Sequence, residues 1–145
     1  MPDEDADWLV PLDAIMAGRQ AGGSDLFGAE LVSVERGRTV YRLVPTSAVA
    51  GGADGGVHGG VLAALVDMAV VTAVLSACKQ GDEMRGTAEL NISYLRPAVG
   101  QELRATAQII KKGRSLAVGD VEIHNDEGVL VAKGRATYAL GRSVG

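Results

Sequence analysis

The run Val57-His58-Gly59-Gly60-Val61-Leu62-Ala63-Ala64-Leu65-Val66-Asp67 sets a lone carboxylate into an apolar, helix-like stretch, nine positions after a histidine. The stretch stays apolar on every side as far as Cys78, so a helix here has to be wrapped by protein. An ionised carboxylate in such a setting is costly unless paired, and burial moves its pKa toward the range of a general base. The Gly59-Gly60 pair at the helix start leaves backbone N–H groups unpaired and open to close approach, which suits a developing oxyanion. If Gly59 opens the helix, Asp67 lies roughly 12 Å further along the axis at ~1.5 Å per residue. The two cannot touch one carbonyl within one chain. A second copy related by a twofold axis, its helix antiparallel, brings Asp67 of one chain to Gly59 of the other.

Outward from this run, the chain divides into short elements. Pro11 and Gly18 bracket a short N-terminal helix. Val32 and Val34 alternate with polar neighbours, Arg36-Gly37-Arg38 turns the chain, and Val40 to Val44 forms a second strand that stops at Pro45. Residues Ala50 to Gly60 are dominated by glycine and form a loop, and the long helix ends before Gly81. Leu90, Ile92 and Tyr94 then alternate with polar residues up to Pro97. Leu103 to Ile109 repeats the pattern, Lys112-Gly113-Arg114 turns, and Val121 and Ile123 belong to the next strand. Asn125-Asp126-Glu127-Gly128 connects to a last strand over Val129 to Leu140. The order predicts an α+β architecture in which an antiparallel sheet buries one long helix on one face.

The chain of 145 residues fits one domain, taken as 1–145, with an N-terminal segment over 1–27 and a core over 28–140. A formal charge of −4 and 3% aromatic residues argue against nucleic acid as a partner. One cysteine, Cys78, allows no internal disulfide, and two separated histidines make a metal centre an unpromising reading. The acidic start, Met1 to Asp7, lacks the regions of a signal peptide, so a reducing, cytoplasmic setting is expected. Val61 to Cys78 approaches the length of a membrane span, but Asp67 within it argues against a membrane.

Five stretches taken in order resemble the hotdog-fold acyl-CoA thioesterases, specifically the phenylacetate-pathway (PaaI-like) group. They are Val57-His58-Gly59-Gly60, Leu65-Val66-Asp67-Met68-Ala69, Leu90-Asn91-Ile92-Ser93-Tyr94-Leu95-Arg96-Pro97, Lys112-Gly113-Arg114-Ser115 and Ala132-Lys133-Gly134-Arg135-Ala136-Thr137-Tyr138. The resemblance implies a hotdog fold, a sheet wrapped around the central helix, in homodimers that commonly pair into homotetramers. It implies hydrolysis of an aryl or short- to medium-chain aliphatic acyl-CoA to the free acid and CoA, with no cofactor beyond the CoA of the substrate. Asp67 stands where the family places its base or nucleophile, Gly59 where a backbone N–H polarises the carbonyl, helped by Gly60, and Thr87 where a hydroxyl holds the water. The chain departs from the pattern at Gly52, where many relatives carry Asn or Gln, with Asp54 the nearest polar residue.

Each assignment has a plainer counterpart. Asp67 can be a helix carboxylate bonded to a neighbouring hydroxyl, and His58 a cap of the helix rather than a substrate contact. Thr87 is an ordinary strand residue by type. Thr72 and Ser76 are expected to bond back to helix carbonyls, and Cys78 to pack in the core. Lys111, Lys112 and Arg114 make the densest basic turn and, with Arg96 or Arg135, are candidates for the CoA phosphates; the alternative is solvated charge. Two rival activities remain on the same fold: a non-catalytic acyl-CoA binding or sensing module, and a dehydratase or hydratase acting on acyl thioesters.

Overall fold

A computed structural model of the chain describes residues 7–20, 26–100 and 102–144. Residues 1–6 and 21–25, within the expected N-terminal segment, lie outside the described residues. The elements follow the expected order: α1 (Leu12–Gln20), β1 (Glu30–Glu35), β2 (Arg38–Leu43), α2 (Gly59–Ala77), β3 (Asp82–Tyr94), β4 (Leu103–Lys112), β5 (Leu116–Asn125) and β6 (Leu130–Arg142). The strands form a single antiparallel sheet in the order β1-β2-β4-β5-β6-β3, which leaves β1 and β3 at its edges.

Helix α2 is 19 residues long with a mean hydropathy of 2.1, long and apolar enough by length and composition to cross a bilayer. Its apolar surface is instead laid on the sheet, and it touches every strand. Leu65, Val66, Ala69, Val70, Ala73 and Val74 are fully buried there. The sheet receives this bulk on small residues: Ala105 and Ala107 on β4, Ala117 and Gly119 on β5, and Ala132, Gly134 and Ala136 on β6. Gly134 lies directly beneath Val66, where an added Cβ would stand 2.8 Å from a valine methyl; at Gly119 the distance to Val70 would be 3.2 Å. The low aromatic content has its explanation in this division, large aliphatic groups on the helix and small ones beneath.

Polar side chains fasten the same interface. Thr39 Oγ1 donates to the Ala69 carbonyl at 2.7 Å, and Tyr41 and Thr72 share a buried hydroxyl pair at 2.7 Å. Thr72 therefore bonds across to β2 rather than back along its helix. Ser76 follows the expectation, donating to Ala73 O at 2.7 Å, and also receives the Gly37 N–H at 2.9 Å. Beyond α2, Trp8 is flanked by Lys79 Nζ, 3.3 Å from the ring centroid, and by the Arg36 guanidinium at 4.4 Å, while Arg36 also donates to the carbonyls of Val10 and Ser76.

Strand β3 begins eight residues earlier than its alternating pattern suggests. Its first half is polar because it is an edge strand with much of its surface exposed. Two bulges also interrupt the period, between Met84 and Gly86 and between Thr87 and Glu89, so that β3 carries an extra residue at each against β6.

The seat beneath Val66 is testable. Gly134→Ala is expected to lower stability by about 1–3 kcal/mol, the range for overpacking a filled core, read as a shift in the chemical-denaturation midpoint.

Candidate active site

Asp67 lies on α2 with its side chain half-buried, less enclosed than the apolar sequence around it implies. Thr87 Oγ1 donates to Asp67 Oδ1 at 2.6 Å, and Oδ2 has no protein partner among the described residues. The bulge on β3 makes this contact. Leu90 pairs with Ala136 on the inner face of the sheet, and strict alternation from Leu90 would turn residue 87 outward. The extra residue between Thr87 and Glu89 reverses the parity, so Thr87 pairs with the buried Tyr138 and turns toward the helix. Tyr138 is a neighbour of the site to which the sequence assigned no role, although alternation along β6 puts it on the inner face with Gly134 and Ala136. Burial pushes its hydroxyl pKa up, and the carboxylate of Asp67 pushes it further.

At the start of the helix, His58 is the N-cap, its Nδ1 accepting the Gly60 N–H at 3.2 Å. The Val61 and Leu62 N–H groups close onto His58 O. Gly60 thus has no free N–H for a ligand, a correction to its expected share in polarising a carbonyl. The Gly59 N–H alone among these four has no partner among the described residues. Gly59 borders a groove of about 360 Å³, lined also by Gly52, Val57, Leu62, Tyr94, Leu95 and Pro97. Asp67 and Thr87 do not line it. One chain therefore carries a donor end and a carboxylate end at separate places on α2, in line with the helix-rise argument.

The glycine at position 52 is dictated by the loop. A Cβ there would stand 2.5 Å from Val57 O and 3.0 Å from Gly56 O, and the Gly52 N–H donates to that same Gly56 carbonyl at 3.0 Å. Asp54 is exposed and lines no part of the groove, so it does not stand in for the missing amide.

The basic candidates divide by what already holds them. Lys112 ends β4 with its ammonium 2.6 Å from Asp82 Oδ2, a pair in which the aspartate side chain is only 1% exposed. The Lys79 N–H adds a bond of 2.8 Å to the same oxygen, and Arg142 stands 3.7 Å from Oδ1. Burial alone would raise the Asp82 pKa; the lysine, the backbone donor and the arginine outweigh it and hold the carboxyl below the usual range. Lys112 thereby ties the start of β3 to the end of β4 rather than pointing into solvent. Arg135 is likewise engaged, in a two-pronged pair with Asp120 at 2.6 and 3.0 Å. Lys111 and Arg114 are exposed and unpaired among the described residues, while Arg96 lines the Gly59 groove and donates to Leu130 O at 3.3 Å. Cys78 is fully buried, and burial first, then Asp82, raises its thiol pKa, which suits packing rather than nucleophilic attack.

Residues 54–132, more than half of the chain, match the family model described as the thioesterase superfamily. The chain belongs to that superfamily. It is 39% identical over 66 residues to the medium/long-chain acyl-CoA thioesterase YigI of Escherichia coli K12, a match covering 41% of this chain and 43% of YigI. It is 38% identical over 81 residues to acyl-coenzyme A thioesterase 13 of Mus musculus, covering 54% and 56% of the two chains. The matches thus span about half the length of these relatives. Among solved structures, the E. coli PaaI protein from the phenylacetic acid degradation operon superposes with a TM-score of 0.73 at 26% identity, covering 93% of this chain and 98% of that one. The hotdog architecture expected from the sequence is therefore the architecture of the superfamily member.

Removal of one partner from a buried ion pair leaves an uncompensated charge. Lys112→Met is expected to cost about 3 kcal/mol on those grounds. Because the Asp82 pKa is depressed on folding, its contribution is present above the carboxylate's unfolded pKa and is lost as pH falls through the folded value. Denaturation series from neutral to acid pH are expected to show that loss in the wild type and a smaller one in the variant.

Proposed function

We propose that the protein hydrolyses the thioester bond of an acyl-CoA, with Asp67 as base, Thr87 as its orienting hydroxyl and the Gly59 N–H of a second copy as oxyanion donor. The observation that carries this reading is the bond from Thr87 to Asp67 Oδ1, which fixes the carboxylate and leaves Oδ2 for a water molecule. In the proposed step, Oδ2 takes a proton as the water oxygen bonds to the thioester carbon. The oxyanion forms against the Gly59 N–H, the C–S bond breaks, and the CoA thiolate recovers the proton. The chemistry draws on the chain's own groups and needs no cofactor beyond the CoA of the substrate.

Two features support a site completed by a second copy. Strand β3 is a 13-residue edge whose outer side is unpaired among the described residues. Half-buried Ala64, Met68, Val71 and Leu75 make an apolar stripe along α2 on either side of Asp67. A twofold axis between two such surfaces covers both and brings the Gly59 start of one helix to Asp67 in the middle of the other. The apolar side chains beside Gly59 favour an aryl or short- to medium-chain aliphatic acyl group, with Arg96 of the same groove toward the CoA phosphates, Arg114, at the opposite end of the sheet, reaching them only from the second copy, and His58 capping the helix that carries the donor. The assembly proposed is a homodimer that pairs into a tetramer, in a reducing, cytoplasmic setting that keeps Cys78 as the free thiol it is.

Asp67→Asn is expected to lower kcat for thiol release from acyl-CoA by about 10²–10⁴-fold, the usual worth of a general base. Unchanged turnover overturns the assignment, and tight acyl-CoA binding by a wild type that releases no thiol supports a binding module instead. Mixing Asp67→Asn with Gly59→Val subunits tests the shared site. Random heterodimers carry one intact site and one doubly defective site, so activity is expected to return to about a quarter of wild type. No recovery after confirmed subunit exchange means that each chain works alone.

A further inference from the structure

We infer that Tyr94 is a positioning residue for the Gly59 donor, an inference that rests on the hydrolase reading above. Tyr94 ends β3 and is 53% exposed, yet its phenol is not left to solvent: the O–H donates to the Gly59 carbonyl at 2.7 Å. Its ring also lies against the α-carbon of that residue. A Cβ at position 59 would meet Tyr94 Cζ at 3.1 Å and Oη at 3.2 Å, so a side chain there would crowd the phenol. Tyr94 and Gly59 border the same groove.

The physical need for such a brace comes from the Gly59-Gly60 pair itself. Two glycines at a helix terminus have the widest backbone freedom available, and an N–H donor stabilises a developing oxyanion only if it is already held in place. His58 anchors the following residue through the Gly60 N–H, and its carbonyl anchors Val61 and Leu62. Neither contact reaches Gly59, whose carbonyl is otherwise held only by the ladder of α2 itself. The phenol bond does, from the strand side, and it leaves the Gly59 N–H as the free polar group of that residue.

The oxyanion develops only after substrate has bound, on the way through the transition state, so loss of this brace acts on kcat and spares substrate binding. The test uses Tyr94→Phe, which keeps the ring against Gly59 and removes only the hydroxyl. Steady-state thiol release is measured on an acyl-CoA that the wild type turns over, and binding is measured with the matching non-hydrolysable acyl-CoA thioether. The expected result is a kcat lower by about tenfold, the equivalent of one modest interaction in the transition state, with KM and thioether affinity within about twofold of wild type and the melting temperature unchanged. Tyr94→Leu, which also removes the ring, is expected to lose more in kcat. A wild-type kcat in Tyr94→Phe, or a loss confined to KM, overturns the inference and leaves the hydrolase reading standing. A wild type that releases no thiol from any acyl-CoA overturns both.

Discussion

The height at which α2 rests on the sheet governs the rest of the structure. A helix without a wet face has to be enclosed, and a six-stranded sheet curls around it only if the residues beneath are small enough to admit its valines and leucines. Gly134 under Val66 and Gly119 under Val70 set that distance, and the alanines of β4, β5 and β6 keep it along the contact. Asp67 follows Val66 directly. A hydrogen bond of 2.6 Å between a helix carboxylate and a strand hydroxyl tolerates little change in the spacing between the two layers, so the packing of apolar methyls is also what fixes the polar geometry.

Charge is distributed with the same economy. The buried carboxylate of Asp82 gathers Lys112, Arg142 and a backbone donor at the sheet end where α2 stops, and the outer face of the sheet pairs Asp120 with Arg135 and Glu122 with Lys133. What remains unpaired along α2 is sparse. Among the described residues Asp67 keeps one oxygen and Gly59 one N–H without a partner, at opposite ends of about two turns of helix, and the half-buried apolar stripe of Ala64, Met68, Val71 and Leu75 runs past Asp67.

Much of this was legible in the sequence. The apolar run after His58-Gly59-Gly60 identified the central helix, its first residue and its enclosure, and alternation in the later strands gave the sheet. Two of the misreadings, at Lys112 and Thr72, depend on a partner distant in sequence, and those at Gly60 and Gly52 on how a nearby side chain or carbonyl folds back. Lys112 sits in a basic turn by sequence, but a buried aspartate 30 residues earlier takes its charge. Thr72 has helix carbonyls within reach, yet Tyr41 on β2 offers a better partner. Gly60 and Gly59 look alike as donors until the histidine side chain folds back and occupies one of them. The glycine at position 52 is a departure by residue type whose reason lies in the carbonyls of Gly56 and Val57 crowding the place of a side chain.

The two bulges of β3 show a kind of information that residue identity does not carry. Each adds one residue to the strand, and together they add two, so the strand enters and leaves its pairing with β6 in the same phase while the stretch between them is inverted. Thr87 occupies that inverted stretch. The orientation of its hydroxyl thus depends on the bulge itself: with the same residues and no bulge between Thr87 and Glu89, strict alternation from Leu90 would turn the hydroxyl to the opposite face. A change at Ala88 or Glu89 that straightens the strand therefore acts on the site without altering any residue that forms it.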